Sequence, residues 1–304
     1  MTKDFTWNTA VTLSHNKNSV KKLTGEDVQL WEASFGYNQN THIIGVNQPL
    51  GQMYGYVTDG LYQVSDFDYD EATKTYTLKD GVPYSGKKTD VKPGMWKFKN
   101  VDGSEDNKIT ENDKTVIGNA YPKFYGGINN TFTYKDFDLS IFLTYSFGND
   151  VFNATKLTNT KTALQNKNVL DIANSSNRWV VVNKKGELIT DPQEMADINK
   201  GKTVAAVYDN EIGDTYIHSW AVEDGSYLKL SNITLGYTFP RKMLSKIGIS
   251  KLRLYATGSN LLTWTKYSGF DPEVSTMGSG LTPGVDFGAY PKSRSFVFGI
   301  NLAF

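Results

Sequence analysis

The sequence predicts an all-β fold: an antiparallel transmembrane β-barrel portion of six strands with long external loops. Three observations predict it. Six segments alternate apolar and polar residues with a period of two. Their apolar faces carry aromatic residues near the strand ends, and their other faces hold mostly Asn, Thr, Ser and Gly, as in a wall with lipid on one side and water on the other. The connections between them alternate strictly between short and long, as in outer-membrane barrels with short inner turns and long outer loops.

The first strand is read at residues 5–15, where Phe5, Trp7, Val11 and Leu13 alternate with Thr6, Asn8, Ala10, Thr12 and Ser14. The second, at 124–134, puts Phe124, Gly126, Ile128, Asn130, Phe132 and Tyr134 on one face. Lys135-Asp136 turns it into the third, at 137–147, with Phe137, Leu139, Ile141, Leu143, Tyr145 and Phe147 on one face and Asp138, Ser140, Phe142, Thr144 and Ser146 on the other. In the fourth, at 227–239, Ile233, Leu235, Tyr237 and Phe239 share a face. Leu228 and Leu230 have the opposite parity, which predicts a change of face at a bulge near the outer end. The link PRKMLSKIGIS, with an expected helical turn, leads to the fifth strand at 251–264, where Leu252, Leu254, Ala256, Gly258, Leu262 and Trp264 form the apolar side. The sixth, at 292–304, closes on Phe296, Phe298, Ile300, Leu302 and Phe304. With Phe304 on the periplasmic side, the strands alternate direction consistently. The long connections, roughly residues 17–123, 148–226 and 265–291, then all lie outside, and a compact soluble domain rarely tolerates loops of that length.

Composition narrows the function classes. The chain has 304 residues, with 32 acidic and 32 basic, so no basic balance argues for nucleic acid. Mean hydropathy is −0.43, no run of 18 apolar residues offers a membrane helix, and no secretory signal follows Met1. Cysteine is absent, which removes disulfides, thiolate metal sites and a Cys nucleophile. The three histidines, His15, His42 and His218, are far apart, so neither a His metal cluster nor a Ser-His-Asp arrangement is expected. Acidic pairs such as Glu26-Asp27 and Asp136/Asp138 stand alone, without other signs of glycosidase chemistry. The chain is not expected to be an enzyme and requires no cofactor.

Several long phrases carry a family resemblance. VEDGSYLKLSNITLGYTFP (222–240), KLRLYATGSNLLTWTKYSGFDPEV (251–274) and YPKSRSFVFGINLAF (290–304) resemble, in order, the C-terminal end of SusC/RagA-type TonB-linked outer-membrane proteins. Residues 103–153, ending in SFGNDVFN, resemble the preceding family segment. The resemblance implies that residues 1–304 are the C-terminal part of a TonB-dependent receptor β-barrel of about 22 strands around a plug. It implies that the plug, the TonB box and the N-terminal strands are absent here. It further implies a place in the outer membrane of a Gram-negative bacterium, in contact with lipid, and import of glycans or peptides. The implied partners are a SusD-like surface lipoprotein and, through the missing N-terminal region, the TonB complex; no nucleic acid is implied. The residues alone leave a soluble β-sandwich carbohydrate-binding module, or a secreted glycan-active enzyme, as alternatives. A closed two-sheet apolar core would favour the sandwich.

Three sets of candidate site residues stand out. DGSEDNKITEND follows the register of a calcium-binding EF-hand loop, with Asp102, Ser104, Asp106, Lys108 through its carbonyl, Thr110 and Asp113 as oxygen ligands. Asn107 replaces the usual Gly and Asp113 the usual Glu; a solvated acidic turn is the competing reading. If calcium binds, its expected role is to order an external loop. Trp31, Tyr54, Tyr56, Tyr62, Trp96, Trp179, Tyr216 and Trp220 lie in the long connections and could stack on sugar faces, or form small loop cores. Arg253, Tyr255, Thr257, Asn129, Thr131 and Thr133 are expected to face the lumen, toward a plug or substrate.

Overall fold

The computed structural model describes residues 4–33, 39–161, 168–208, 216–276 and 279–304. Its largest element is a six-stranded antiparallel sheet: β1 (Phe5–Ser14), β2 (Phe124–Tyr134), β3 (Phe137–Phe147), β4 (Tyr227–Thr238), β5 (Lys251–Thr265) and β6 (Ser295–Ala303). Each strand pairs with its sequence neighbour, so the sheet is a simple up-and-down meander. The sheet does not close on itself; β1 and β6 are its two edges. The strands lie where alternation predicts them, within three residues at every end.

The register lines up the apolar sets. Trp7, Phe132, Leu139, Leu235, Ala256 and Phe298 form one continuous row across all six strands. Rows either side of it hold Val11–Ile128–Leu143–Leu230–Leu262 and Phe5–Tyr134–Phe137–Tyr237–Leu254–Ile300. The parity change in β4 is absorbed at Ser231: Phe142 pairs with Asn232 and Leu143 with Leu230, leaving Ser231 unpaired. Strand β5 compensates with two extra residues, Asn260 and Leu261, between Ser259 and Leu262. Asn260 takes φ of 54°, which Asn tolerates better than other non-Gly residues. Leu228 and Leu230 thereby join the apolar face, and Tyr227 and Lys229 join the polar one.

Among the described residues, every fully buried apolar side chain lies outside the six strands. No second layer covers the apolar face, where Val11, Leu13, Leu235, Phe296, Phe298 and Ile300 are exposed. A two-sheet sandwich is thereby excluded, since its strands would bury this face in a shared core. The apolar cores sit instead in the long connections, which fold together at one end of the sheet. The first builds a four-stranded sheet from residues 28–32, 40–45, 52–56 and 114–119. Strand 150–153 of the second pairs with 222–224 and, in parallel, with 285–286 of the third. Met53, Phe152, Leu157, Ile217 and Val285, drawn from all three connections, share one core.

At the opposite end the links are short. Lys135, at φ of 51°, turns β2 into β3. The β4–β5 link holds the predicted helical turn, α1 (Arg241–Leu244), which continues as a 3-10 turn to Ile247 and stops at Gly248, φ 75°.

Candidate functional site

Two surfaces carry the polar chemistry of the chain: the inner face of the sheet, and the layer of connections that folds over one end of it.

The register places Asn129, Thr131 and Thr133 of β2 and Thr257, Tyr255 and Arg253 of β5 on one face, as expected. Between them run short polar side chains that satisfy one another. Thr234 and Thr257 hydroxyls lie 2.9 Å apart, Ser259 donates to the Asn232 amide oxygen at 2.7 Å, and Thr144 meets the bulged Ser231 at 2.7 Å. Larger groups lie across glycines. Arg253 passes over Gly236 to Asp138, with Nε–Oδ1 at 3.0 Å and Nη2–Oδ2 at 2.5 Å. A Cβ at Gly236 would sit 2.4 Å from the guanidinium and 2.6 Å from the carboxylate. The Tyr255 ring covers Gly299 in the same way, with Arg253 5.1 Å from its centroid. Without these glycines, the side chains would have to stand upright into the lumen.

Polar groups are few on the apolar face, and Thr9, Asn130 and Tyr145 bond locally. The Asn130 amide oxygen accepts from Trp7 Nε1 at 3.1 Å and from the Thr9 hydroxyl at 2.7 Å. Tyr145 reaches across Gly126 to donate to the Thr12 carbonyl at 2.8 Å. A face in hydrocarbon needs such internal pairing, because no water is present to supply it.

Aromatic side chains gather at both ends of the apolar face. At the end with short links, Trp7 stacks on Phe132 (5.7 Å), Phe137 meets Tyr237 (4.7 Å), and Tyr237 meets Phe239 edge-on (5.0 Å). At the other end lie Phe124 against His15 (5.3 Å), Tyr145 against Phe147 (5.8 Å), and exposed Trp264. These are the two rims that interfacial aromatic girdles form.

Where the sheet meets the connections, an ionic clamp holds the third connection to the wall. Lys229, buried on the inner face of β4, donates to Glu273 Oε2 at 2.8 Å and lies 3.7 Å from Asp271. Tyr227 donates to Glu273 Oε1 at 2.6 Å, and Lys292 pairs with both Glu273 and Asp271. Burial pushes the Glu273 carboxyl up, but hydrogen bonds from Lys229, Lys292 and Tyr227 outweigh it and hold the group at about 2.

The loop aromatics mostly form cores. Tyr56, Tyr62, Trp96 and Trp179 are buried, while Tyr54, Tyr216 and Trp220 are half-buried. Trp96, Phe98 and Trp220 pack on the fully buried His218, and Tyr56 and Tyr216 pack behind Phe98. Desolvation, helped by Lys161 and Lys156, lowers the His218 imidazole to about 3. His42 is also held neutral, lowered to about 4 by burial, with Nδ1 on the Thr41 hydroxyl (2.8 Å) and Nε2 on the Pro283 carbonyl (3.0 Å). Both histidines lock connections together rather than facing solvent. Only Trp31 remains at the surface, bordering a shallow hollow with Val28, Leu30, Ile43 and Tyr54.

The Asp102–Asp113 loop has the left-handed Asn107 that its register demands, at φ of 55°. Its carboxylates face backbone amides of the same loop. Buried Asp113 accepts from the N–H groups of Val101 (2.8 Å), Asp102 (3.3 Å) and Thr110 (2.7 Å). Asp102 caps the Ser104 N–H (2.9 Å) and Asp106 the Lys108 N–H (3.0 Å). Among the described residues no group of three or more His, Cys, Asp or Glu side chains gathers for a metal ion. The clamp, the glycine notches and the buried histidines carry no local motif; the opposite parity of Leu228 and Leu230 marks the change of face that puts Tyr227 and Lys229 on the inner side.

No family model matches the chain. It is similar along nearly all of its length to proteins named as TonB-dependent receptors. TonB-dependent receptor P3 of Formosa agariphila is 32% identical over 309 residues, covering 99% of this chain and 27% of that protein. TonB-dependent receptor SusC of Bacteroides thetaiotaomicron is 26% identical over 311 residues, covering 100% of this chain and 25% of that protein. The fold matches a solved structure of the RagAB peptide importer in its closed-closed state, with TM-score 0.65 and 19% identity, over 100% of this chain and 28% of that one. The chain thus spans about a quarter of the length of the curated relatives it matches.

Proposed function

From a chain that belongs to the SusC/RagA type of TonB-dependent receptor, we propose that its six strands are the C-terminal part of an outer-membrane import barrel in a Gram-negative bacterium. The observation that carries this reading is the uncovered apolar face. A sheet with aromatic rims and no buried apolar side chain of its own needs hydrocarbon as its second layer. The polar face lines the lumen, and the plug and remaining strands belong to the rest of the receptor. Import, driven through the TonB complex, brings in glycans or peptides, and the folded connections meet a SusD-like lipoprotein from outside. The short, mutually satisfied polar groups of the inner face suit a wall past which a solute slides, and we assign the chain to transport rather than to catalysis.

Uptake of labelled oligosaccharides and oligopeptides by cells with and without the receptor tests this. The expected result is loss of uptake of one class in cells lacking the receptor or treated with a protonophore. Recovery of the protein in the soluble fraction, or unchanged uptake of both classes, would overturn it.

A second proposal concerns Asp102–Asp113. The left-handed Asn107 favours calcium binding; the amide bonds to Asp113 oppose it, because calcium would have to displace Thr110 and Val101. Terbium luminescence of the receptor, competed by calcium and abolished by Asp106→Ala, would support the site. Absence of luminescence would remove it.

A further inference from the structure

The β4–β5 link has a chemistry unlike the other short turn. Residues 239–252, FPRKMLSKIGISKL, contain Arg241, Lys242, Lys246 and Lys251 and no acidic residue. Leu244 is buried and fixes the turn to the sheet. Met243 and Ile247 are four residues apart on a helical turn, and so lie on one side of it. They are 62% and 66% exposed among the described residues. Arg241, Lys242 and Lys251 are exposed beside them. The link begins at the aromatic rim, at Phe239 packed on Tyr237, and its closing strand returns to the apolar face at Leu252 and Leu254. An apolar pair in a basic collar, continuous with a lipid-facing wall, is the pattern of a segment lying in a membrane interface.

We propose that this link is an interfacial anchor. Met243 and Ile247 enter the acyl chains of the periplasmic leaflet, and Arg241, Lys242 and Lys251 draw anionic phospholipid headgroups around them. The proposal rests on the barrel reading, which makes the adjoining face lipid-facing. Charge selects the occupant. A basic side chain near an anionic surface enriches anionic lipid about fivefold, whereas a zwitterionic headgroup gains nothing comparable. A second protein docking on the same apolar pair would need acidic groups to meet the collar, and would shield the pair from lipid.

Residues 1–304 contain no cysteine, so, with any cysteine in the rest of the receptor replaced by serine, Met243→Cys and Leu235→Cys each give one thiol for a fluorescent label. Leu235, exposed on the apolar face of β4, serves as reference. The assembled receptor is placed in phosphatidylcholine bilayers containing equal small fractions of brominated phosphatidylglycerol or brominated phosphatidylcholine. The label at 243 should be quenched about fivefold more effectively by the anionic lipid, and the label at 235 equally by both. Replacing all four basic residues of the link, Arg241→Gln/Lys242→Gln/Lys246→Gln/Lys251→Gln, should bring the ratio at 243 to about one. A label at 243 that is unquenched, or quenched equally by both lipids, while 235 is quenched, overturns the anchor and leaves the barrel intact. A label at 235 that no lipid quenches overturns the lipid-facing wall itself.

Discussion

Arg253 crosses the bare backbone of Gly236 to grip Asp138 on the strand beyond, so three successive strands are tied by one two-pronged ion pair. Planar guanidinium and carboxylate match at two points, which makes this geometry stronger and more directional than a single surface pair. The glycine is part of the device. Gly236→Val should push both partners aside and cost about 2 kcal/mol. The receptor's heat-dependent gel-mobility transition would fall by several degrees. Gly236→Ala should show a smaller fall, and Asp138→Asn should resemble the valine variant. An unchanged transition in Gly236→Val would show that the pair contributes nothing.

The register beside the bulge at Ser231 decides which side chains meet lipid. Ser231 is the residue without a partner, so deleting it should close the ladder with Leu230 still opposite Leu143 and Lys229 still on the inner face. Exchanging the two neighbours, Lys229→Leu/Leu230→Lys, instead puts a lysine in hydrocarbon, at about 2–4 kcal/mol if near the midplane and less near the rim. It also removes the partner of Glu273. Little heat-modifiable barrel should assemble from the exchanged variant, whereas the Ser231 deletion should assemble.

The folded connections should loosen in acid while the sheet does not. The imidazoles of His42 and His218 lie at about 4 and about 3 in the folded state, below the ordinary 6.5. The unfolded connections therefore bind protons first, and stability present above pH 6.5 is lost as pH falls from 6.5 toward 3. Glu273, at about 2 against an ordinary 4.5, adds a second loss below 4.5 as its bonds to Lys229 and Lys292 weaken. Amide-exchange protection of residues 40–56 and 216–222, corrected for intrinsic rate, should drop between pH 6 and 4. Protection of β2 and β3 should hold. His42→Gln should flatten the first part of the decline.

Asp113 should matter to its loop whether or not calcium is added. It satisfies three backbone amides from a buried position, so Asp113→Ala should cost about 1–3 kcal/mol of local stability. Proteolysis between residues 100 and 113 should accelerate about tenfold or more, with calcium and with chelator alike. Acceleration confined to calcium-containing buffer would assign Asp113 to the metal instead.

The wall was legible because a strand with two different solvents writes its period directly into the sequence. Even the departure at Leu228 and Leu230 pointed to the bulge, though not to Ser231 itself, since parity marks a change of face without saying which residue is extra. The connections were not legible. Tyr56, Tyr62, Trp96 and Trp179 show no period, because they converge from separate segments onto irregular cores, and sugar stacking and burial demand the same residue types. The clamp was hidden for a similar reason. Lys229 and Glu273 are far apart in sequence and meet only because β4 and the third connection fold against each other. In the Asp102–Asp113 loop the spacing was readable, but the competition between amides and a cation for the same carboxylates appears only in three dimensions.

The central claim is that alternate residues of one strand face lipid and water. Photoactivatable diazirine groups carried on phospholipid acyl chains test it most directly, with labelled residues of β5 identified by mass spectrometry of the assembled receptor. Labelling should fall on Leu252, Leu254, Ala256 and Leu262 and spare Arg253, Tyr255 and Thr257. Equal labelling of both sets, or none on either, would contradict the account.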